Sequence, residues 1–270
     1  MKVLNVTNKY YNNQSTFKST TSFYKTDAGK EIGSNSWMFR EDVAWNDLAK
    51  FEVEHFRDKN RVNVIQFASS DGSEAYTKII SLLKQGEPNV QKFFPIEAYD
   101  ISPEIVNAAK SGLINFVDKD FKRAENVQVN LDEYFKKSTN SLDIKNDYMF
   151  HFFNIPTTTY QVSNSLKNKV NFHNKDLFDV LHSFKDDSNS VILCRNIFSY
   201  FDDIDARRAI NLLGQKLKAG SLLVLGDQDF SKHTMQKFLK EAGFSAVDFK
   251  DYSEIKTLKN VFVKNIKTAL

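Results

Sequence analysis

Apolar and polar positions along this chain change period several times, and each change marks an element. Val43, Ala44, Leu48, Phe51 and Phe56 fall roughly on one helical face, which predicts a helix opening near Glu41. Val62 to Phe67 is a short β-type run bounded by Ser69-Ser70-Asp71-Gly72, and Ala75, Tyr76, Ile79, Ile80 and Leu83 then recur at helical spacing. Phe93 to Tyr99 reads as a second strand. Pro103 to Lys110 reads as a short helix, with Ser102 placed to cap it. Further on, Ser190 to Cys194 is a buried strand, and Asp202 to Lys218 is an amphipathic helix ended by Gly220. Ser221 to Gly226 is a strand, Thr234 to Ala242 a helix, and Phe244 to Phe249 and Asn260 to Val263 are β-rich.

Strand and helix alternating at this spacing specify an α/β fold, a doubly wound and mostly parallel sheet covered on both faces. The two late β segments predict a terminal antiparallel hairpin. Residues 111–170 interrupt the alternation with a long polar stretch that carries Tyr148, Phe150, Phe152, Phe153 and Tyr160. A cap over the active site and a solvated insertion both fit that composition. Residues 1–35, rich in Asn, Ser, Thr and Lys, read as a polar arm ahead of one domain spanning 36–270.

Composition narrows the class. A chain of 270 residues with 24 Phe and 10 Tyr holds enough bulky material for a core without metal or disulfide staples. The one cysteine, Cys194, excludes an internal disulfide and a cysteine-based zinc site. The five histidines have no close ligand spacing, so no metal is expected. Thirty-seven basic side chains nearly balance 34 acidic ones, without a basic stripe, so nucleic acid is not an expected partner. Met1 to Tyr10 lacks the apolar run of a signal peptide, and no stretch of about 18 apolar residues occurs. No membrane insertion and a cytoplasmic location are the expectations; the oligomeric state is open.

Open α/β sheets bind ligands beyond the carboxyl ends of their strands, where the strand order reverses. Three segments sit at such ends. Ala68-Ser69-Ser70-Asp71-Gly72-Ser73-Glu74 is a strand-to-helix turn of small residues, and Gly72 can take a positive φ. Asp100 ends the second strand, where a carboxylate can accept from both hydroxyls of a ribose; its bland role is to start the turn before Pro103. Cys194-Arg195-Asn196-Ile197-Phe198-Ser199-Tyr200-Phe201 runs an apolar strand straight into Arg and Asn. An arginine there is costly to bury without a partner, which favours a site. Cys194 itself reads as a small core residue. There is no Gly-x-x-x-x-Gly-Lys loop and no complete Gly-x-Gly-x-x-Gly fingerprint, which argues against an NTPase and an NAD enzyme.

Taken in order, these pieces resemble the chemoreceptor glutamate methyltransferase (CheR) family of class I, Rossmann-like, S-adenosylmethionine (SAM)-dependent enzymes, from about Ser36 to Asp229. Ser36-Trp37-Met38-Phe39-Arg40-Glu41 is similar to the family's Thr-x-Phe-Phe-Arg-Glu. Ala68 to Tyr76 is similar to Gly-Cys-Ser-x-Gly-Glu-Glu-Pro-Tyr, and Tyr99-Asp100-Ile101-Ser102 to Thr-Asp-Ile-Asp. Leu131 to Phe135 resembles Arg-Tyr-Phe, while Val170-Asn171-Phe172 with Asp176-Leu177 resembles Val-x-Phe and Asn-Leu. Cys194 to Phe201 matches Cys-Arg-Asn-x-x-x-Tyr-Phe, the most specific of the set, and Leu225-Gly226-Asp227 resembles Leu-Gly-His.

The resemblance implies SAM as cofactor, S-adenosylhomocysteine as product, and a methyl acceptor that is a protein glutamate carboxylate. It implies a pocket of Ser36, Ala68, Gly72, Glu74, Asp100, Asp176, Leu177, Arg195 and Asn196. Asp100 would take the ribose, and Asp176-Leu177 would flank the adenine. Ser36 and Arg40 would come from a preceding helix and close over the methionine end. Arg40 and Tyr200 would face the transferring methyl and the acceptor. Family enzymes carry a helical basic N-terminal domain, whereas about 35 polar residues precede Ser36 here. A small metabolite or other protein group as acceptor, and a SAM-binding sensor without catalysis, are the alternatives.

Overall fold

Along the chain, β1 (Phe23–Lys25) pairs antiparallel with β2 (Glu31–Gly33), and α1 (Trp45–His55) leads into β3 (Asn63–Phe67). Then come α2 (Ser73–Leu83), β4 (Ile96–Asp100), α3 (Pro103–Ser111), β5 (Leu113–Phe116), α4 (Asp118–Asn126), β6 (Phe135–Lys137) and β7 (Thr158–Val162). The second half holds α5 (Asn164–Lys167), β8 (Val170–Asn174), α6 (Leu177–Ser183), β9 (Ser190–Leu193), α7 (Asp203–Lys216), β10 (Leu222–Val224), α8 (Met235–Glu241), β11 (Phe244–Asp251) and β12 (Glu254–Lys264). This computed structural model describes residues 23–25, 31–33, 36–140, 142, 156–185, 189–231, 233–251 and 254–266. Most of the polar arm, and Tyr148, Phe150, Phe152 and Phe153 of the interrupting stretch, lie outside the described residues.

The large sheet has seven strands in the order β11-β12-β10-β9-β3-β4-β8. Strands β10, β9, β3, β4 and β8 are parallel, and β12 and β11 close the sheet antiparallel, as the terminal hairpin pattern predicts. The chain winds outward from β3 to β4 and β8 on one side, then returns to β9 and β10 on the other. The carboxyl ends of β3 and β9 therefore flank the reversal, where such sheets open a crevice.

Alternating side chains feed two cores. Val64, Ala98, Phe172, Val191 and Val224 pack under α1 and α2, whereas Ile65, Phe67, Ile192 and Leu223 pack under α6, α7 and α8. The described part of residues 111–170 is neither featureless nor detached. Strands β5, β7 and β6 form a three-stranded antiparallel sheet, and Phe116 and Phe135 enter the first core, with Phe135 edge-on to Tyr76 at 6.2 Å between ring centroids.

Some element bounds differ from the pattern. The first helix starts at Trp45, not near Glu41, and Ala44 is its exposed N-cap. Residues 36–40 are a turn, so Ser36 and Arg40 do not come from a helix. The second strand begins at Ile96, because Phe93 closes a 3-10 turn (Gln91–Phe93) and Pro95 has no amide to give a ladder. Strands β11 and β12 run longer than the alternation suggests, since a register shift between Ala246 and Val247 breaks the period.

Candidate active site

Three strand ends are joined by direct contacts. The turn after β3 is tight and left-handed in places: Ala68 has φ 50°, Ser70 φ 51° and Gly72 φ 91°. Ala68, where the family motif has glycine, is exposed, so its methyl group meets no wall. Gly72 has no such room, for a Cβ there would lie 2.7 Å from Cζ of Phe172. Its conformation and its packing both exclude a side chain. The turn leads into α2, and the Ser73 amide at the helix start donates to Asp71 Oδ1 at 2.9 Å.

Asp100, at the end of β4, locks this turn in place. Its Oδ2 accepts from the Ser70 amide at 2.9 Å, and its Oδ1 accepts from the Ser102 amide at 3.0 Å. Ser102 also caps α3 through Oγ, as the sequence predicts. Burial pushes the Asp100 carboxyl upward, and the amides of Ser102 and Ser70 pull it back. A carboxylate offers about four acceptor positions, so the group retains acceptor capacity beyond the amides of Ser70, Ser102 and Ile101.

Arg195, just past β9, is 6% exposed and paired on both sides. Its guanidinium donates to Glu74 in the first turn of α2 and to Asp42 ahead of α1, and it lies 5.0 Å from the centroid of the Trp45 ring. Glu74 is pushed up by burial and pulled back chiefly by Arg195. Asn196 takes a left-handed φ of 56°, which asparagine tolerates. Its amide donates to Asp229 at 2.7 Å, and its Oδ1 accepts from the Gln228 amide at 3.1 Å. The side chain crowds Gly226, where a Cβ would come within 2.1 Å of Asn196 Oδ1, so only glycine fits. Three buried polar atoms in these segments have no hydrogen-bond partner among the described residues: Ser69 Oγ, Arg195 Nε and Asn196 Nδ2.

Arg40 leaves the turn before α1 with its carbonyl accepting from Trp45 Nε1 at 3.0 Å. Burial, then Arg195, lower its pKa, while Asp42 and Glu74 raise it, so Arg40 sits beside the Arg195 cluster. Tyr200, in the short turn Phe198–Tyr200, is half-buried; burial raises its pKa and Arg40 lowers it. Ser36 is half-buried at the head of the same turn as Arg40. Asp176 caps α6, its Oδ1 accepting from the Phe178 amide at 2.8 Å. The Leu177 side chain packs into the second core, so only its backbone is available to a ligand. Cys194 is fully buried, and burial raises its thiol well above the usual range, which fits a core residue.

The family model for CheR methyltransferase, SAM binding domain, matches residues 34–149 and 132–246. The chain belongs to the CheR methyltransferase family. Chemotaxis protein methyltransferase 2 of Vibrio cholerae is 24% identical over 219 residues, covering 78% of this chain and 69% of that protein. The chemotaxis protein methyltransferase of Borreliella burgdorferi is 26% identical over 221 residues, covering 78% of this chain and 70% of that protein. A solved structure, the magnesium protoporphyrin IX methyltransferase of Synechocystis PCC 6803 with bound SAM, is similar at 14% identity and a TM-score of 0.36, covering 82% of this chain and 79% of that one. This CheR-family chain is a SAM-dependent methyltransferase, with SAM as its cofactor. No helix among its described residues is long and apolar enough to cross a membrane.

Several residues that build this CheR-type site carry no motif signal. Asp42 holds Arg195, and Trp45 lies against it. Asp229 accepts from the amides of Gly226, Asn196 and Phe198, so one carboxylate organises the turn after β9 and the turn after β10. An acidic residue beside Leu225-Gly226-Asp227 was the available hint. Burial pushes Asp229 up to about 6, against those three amides. Burial likewise pushes Asp120 up to about 6. A carboxyl with a native pKa above its unfolded value of about 3.9 binds protons more readily when folded. These two groups therefore favour the folded chain most below about pH 4, and that contribution is lost as pH rises through about 6. Their carboxyl carbon resonances are expected to titrate with midpoints near 6; midpoints near 4 would show that burial does not dominate.

Proposed function

We propose that this chain transfers the SAM methyl group to a carboxylate oxygen of a protein glutamate side chain. The observation that carries the reading is Arg40, a guanidinium set among Arg195, Asp42 and Glu74 with Tyr200 within its field. Asp42 and Glu74 are both engaged by Arg195, which leaves Arg40 as the group to receive an incoming anion.

The residues present suit the cofactor. The free acceptor positions of Asp100 match a ribose diol. Asn196 Nδ2 and Arg195 Nε are buried donors awaiting acceptors, and Ala68, Gly72 and Glu74 line the turn that a nucleoside would approach. Asp176 and the Leu177 backbone stand at the end of β8, beside Asp100 on β4, where an adenine would lie next to the ribose. Ser36, at the head of the Arg40 turn, would close the methionine end. Bound SAM supplies an electrophilic methyl group on a sulfonium, whose sulfur keeps the C–S electron pair as the methyl leaves.

An acceptor carboxylate is ionised near pH 7, so the chain needs no general base. Three of the described histidines have partners elsewhere: His55 Nε2 sits 2.7 Å from the Gly220 carbonyl, His173 contacts Glu97, and His182 contacts Arg208. Arg40 can grip both carboxylate oxygens with its planar fork, aiming one lone pair at the methyl carbon. The Tyr200 hydroxyl would steady the second oxygen.

Methyl-labelled SAM incubated with the enzyme and a lysate tests this reading. The expected label is on protein and is released as methanol by mild alkali, as a methyl ester requires. Alkali-stable label, label in the small-molecule fraction, or no transfer would each overturn the glutamate assignment.

A further inference from the structure

The turn that carries Arg40 is pinned from three sides. The Met38 amide donates to Asp120 Oδ1 at 3.1 Å, the Phe39 amide to Thr77 Oγ1 at 3.0 Å, and Trp45 Nε1 to the Arg40 carbonyl. Met38 and Phe39 are buried, and Phe39 holds a φ of 48°. These contacts fix the backbone at Arg40 and leave its long side chain free to rotate. An arginine that must present a fork to a carboxylate needs a further constraint.

Trp37 supplies it. The Arg40 guanidinium carbon lies 5.4 Å from the Trp37 ring centroid, within the range of a cation–π contact. A second guanidinium, that of Arg123 from α4, lies 5.3 Å from the same ring. Arg123 is 7% exposed and reaches Asp120 and Glu41, each at 3.6 Å. Those ion pairs are too long to orient a planar group by hydrogen bonding, so the indole face is the directional contact. Asp120 meanwhile accepts from the Val117 amide at 3.0 Å, which roots this assembly in the start of α4. Trp37 occupies the variable position of the family's Thr-x-Phe-Phe-Arg-Glu pattern, so the arrangement belongs to this chain and not to the motif.

We propose that Trp37 is a positioning residue whose indole holds the Arg40 guanidinium in the acceptor site, with Arg123, anchored on Asp120, holding the indole. The inference rests on Arg40 as the clamp of the acceptor carboxylate. It makes the 111–170 stretch a support of the catalytic turn, through α4.

The test compares Trp37→Leu, which keeps apolar bulk without an aromatic face, with Trp37→Phe, which keeps a face. The Arg40 Nε–H resonance, assigned by its loss in Arg40→Lys, reports the contact without any turnover. In the unaltered protein it should be displaced by the indole ring current. Trp37→Leu should return it toward the position of a free arginine, Trp37→Phe should retain part of the displacement, and Arg123→Met should shift it in the same direction as Trp37→Leu but less. In turnover, Trp37→Leu should lower kcat about 10-fold with SAM affinity unchanged, and Trp37→Phe should recover most of the loss. An Arg40 resonance that is the same in the unaltered protein and Trp37→Leu overturns the proposal. A resonance that moves while kcat holds leaves the contact standing and overturns Trp37 as a positioning residue, whereas the failure of Arg40 as the clamp is read separately from unchanged turnover of Arg40→Ala.

Discussion

Replacing Arg40 with alanine is expected to lower kcat/KM for methyl transfer about 100-fold or more while the fold persists. Such a loss corresponds to about 2.7 kcal/mol of transition-state stabilisation, the scale expected when a nucleophile loses its orientation but not its charge. The backbone at Arg40 is held by Trp45 and by the amide contacts of Met38 and Phe39, none of which involves the Arg40 side chain. Stability should therefore change by no more than about 1 kcal/mol, the value of a cation–π pairing with Trp37. Arg40→Lys keeps the charge without the fork, and should fall between the two. Steady-state kinetics on the protein acceptor, with thermal unfolding alongside, decide the matter. Turnover of Arg40→Ala equal to that of the unaltered enzyme would remove Arg40 from the chemistry.

Much of this architecture is visible in the chain because each local signal agrees with its neighbours. Ser102 and Pro103 announce α3, the polar residues after Phe67 announce the crevice turn, and Cys194 to Phe201 announces the end of β9. What escapes notice shares a physical cause. Lys78 and Glu52 pair across α2 and α1 at zero exposure, yet hydropathy assigns such residues to solvent. Asp42 and Asp229 are ordinary surface letters until the fold brings them to Arg195 and to the Asn196 amide. The sheet β5-β7-β6 is hidden by short strands and a long connection, and its aromatic residues reveal their role only when Phe116 and Phe135 are seen in the core. The turn at residues 36–40 resembles a helix start in its motif, but Phe39 at φ 48° breaks any helix there.

Asp100→Asn carries the second large effect, and it bears on the cofactor grip from which everything else follows. Asp100 is 8% exposed, and each of its oxygens already takes one backbone amide. The remaining acceptor positions are the ones a ribose diol would use, and they are charged, which roughly doubles the strength of each bond. Asparagine presents one oxygen and a donor in place of the second acceptor. One charged hydrogen bond to the ribose disappears, worth about 1.5–3 kcal/mol, or about 10- to 150-fold in affinity. Calorimetric titration of SAM into both proteins measures this directly. One site is expected in the unaltered chain, with affinity weakened by at least about 10-fold in Asp100→Asn. Equal affinity in the two proteins, or no SAM binding by the unaltered chain, would contradict it.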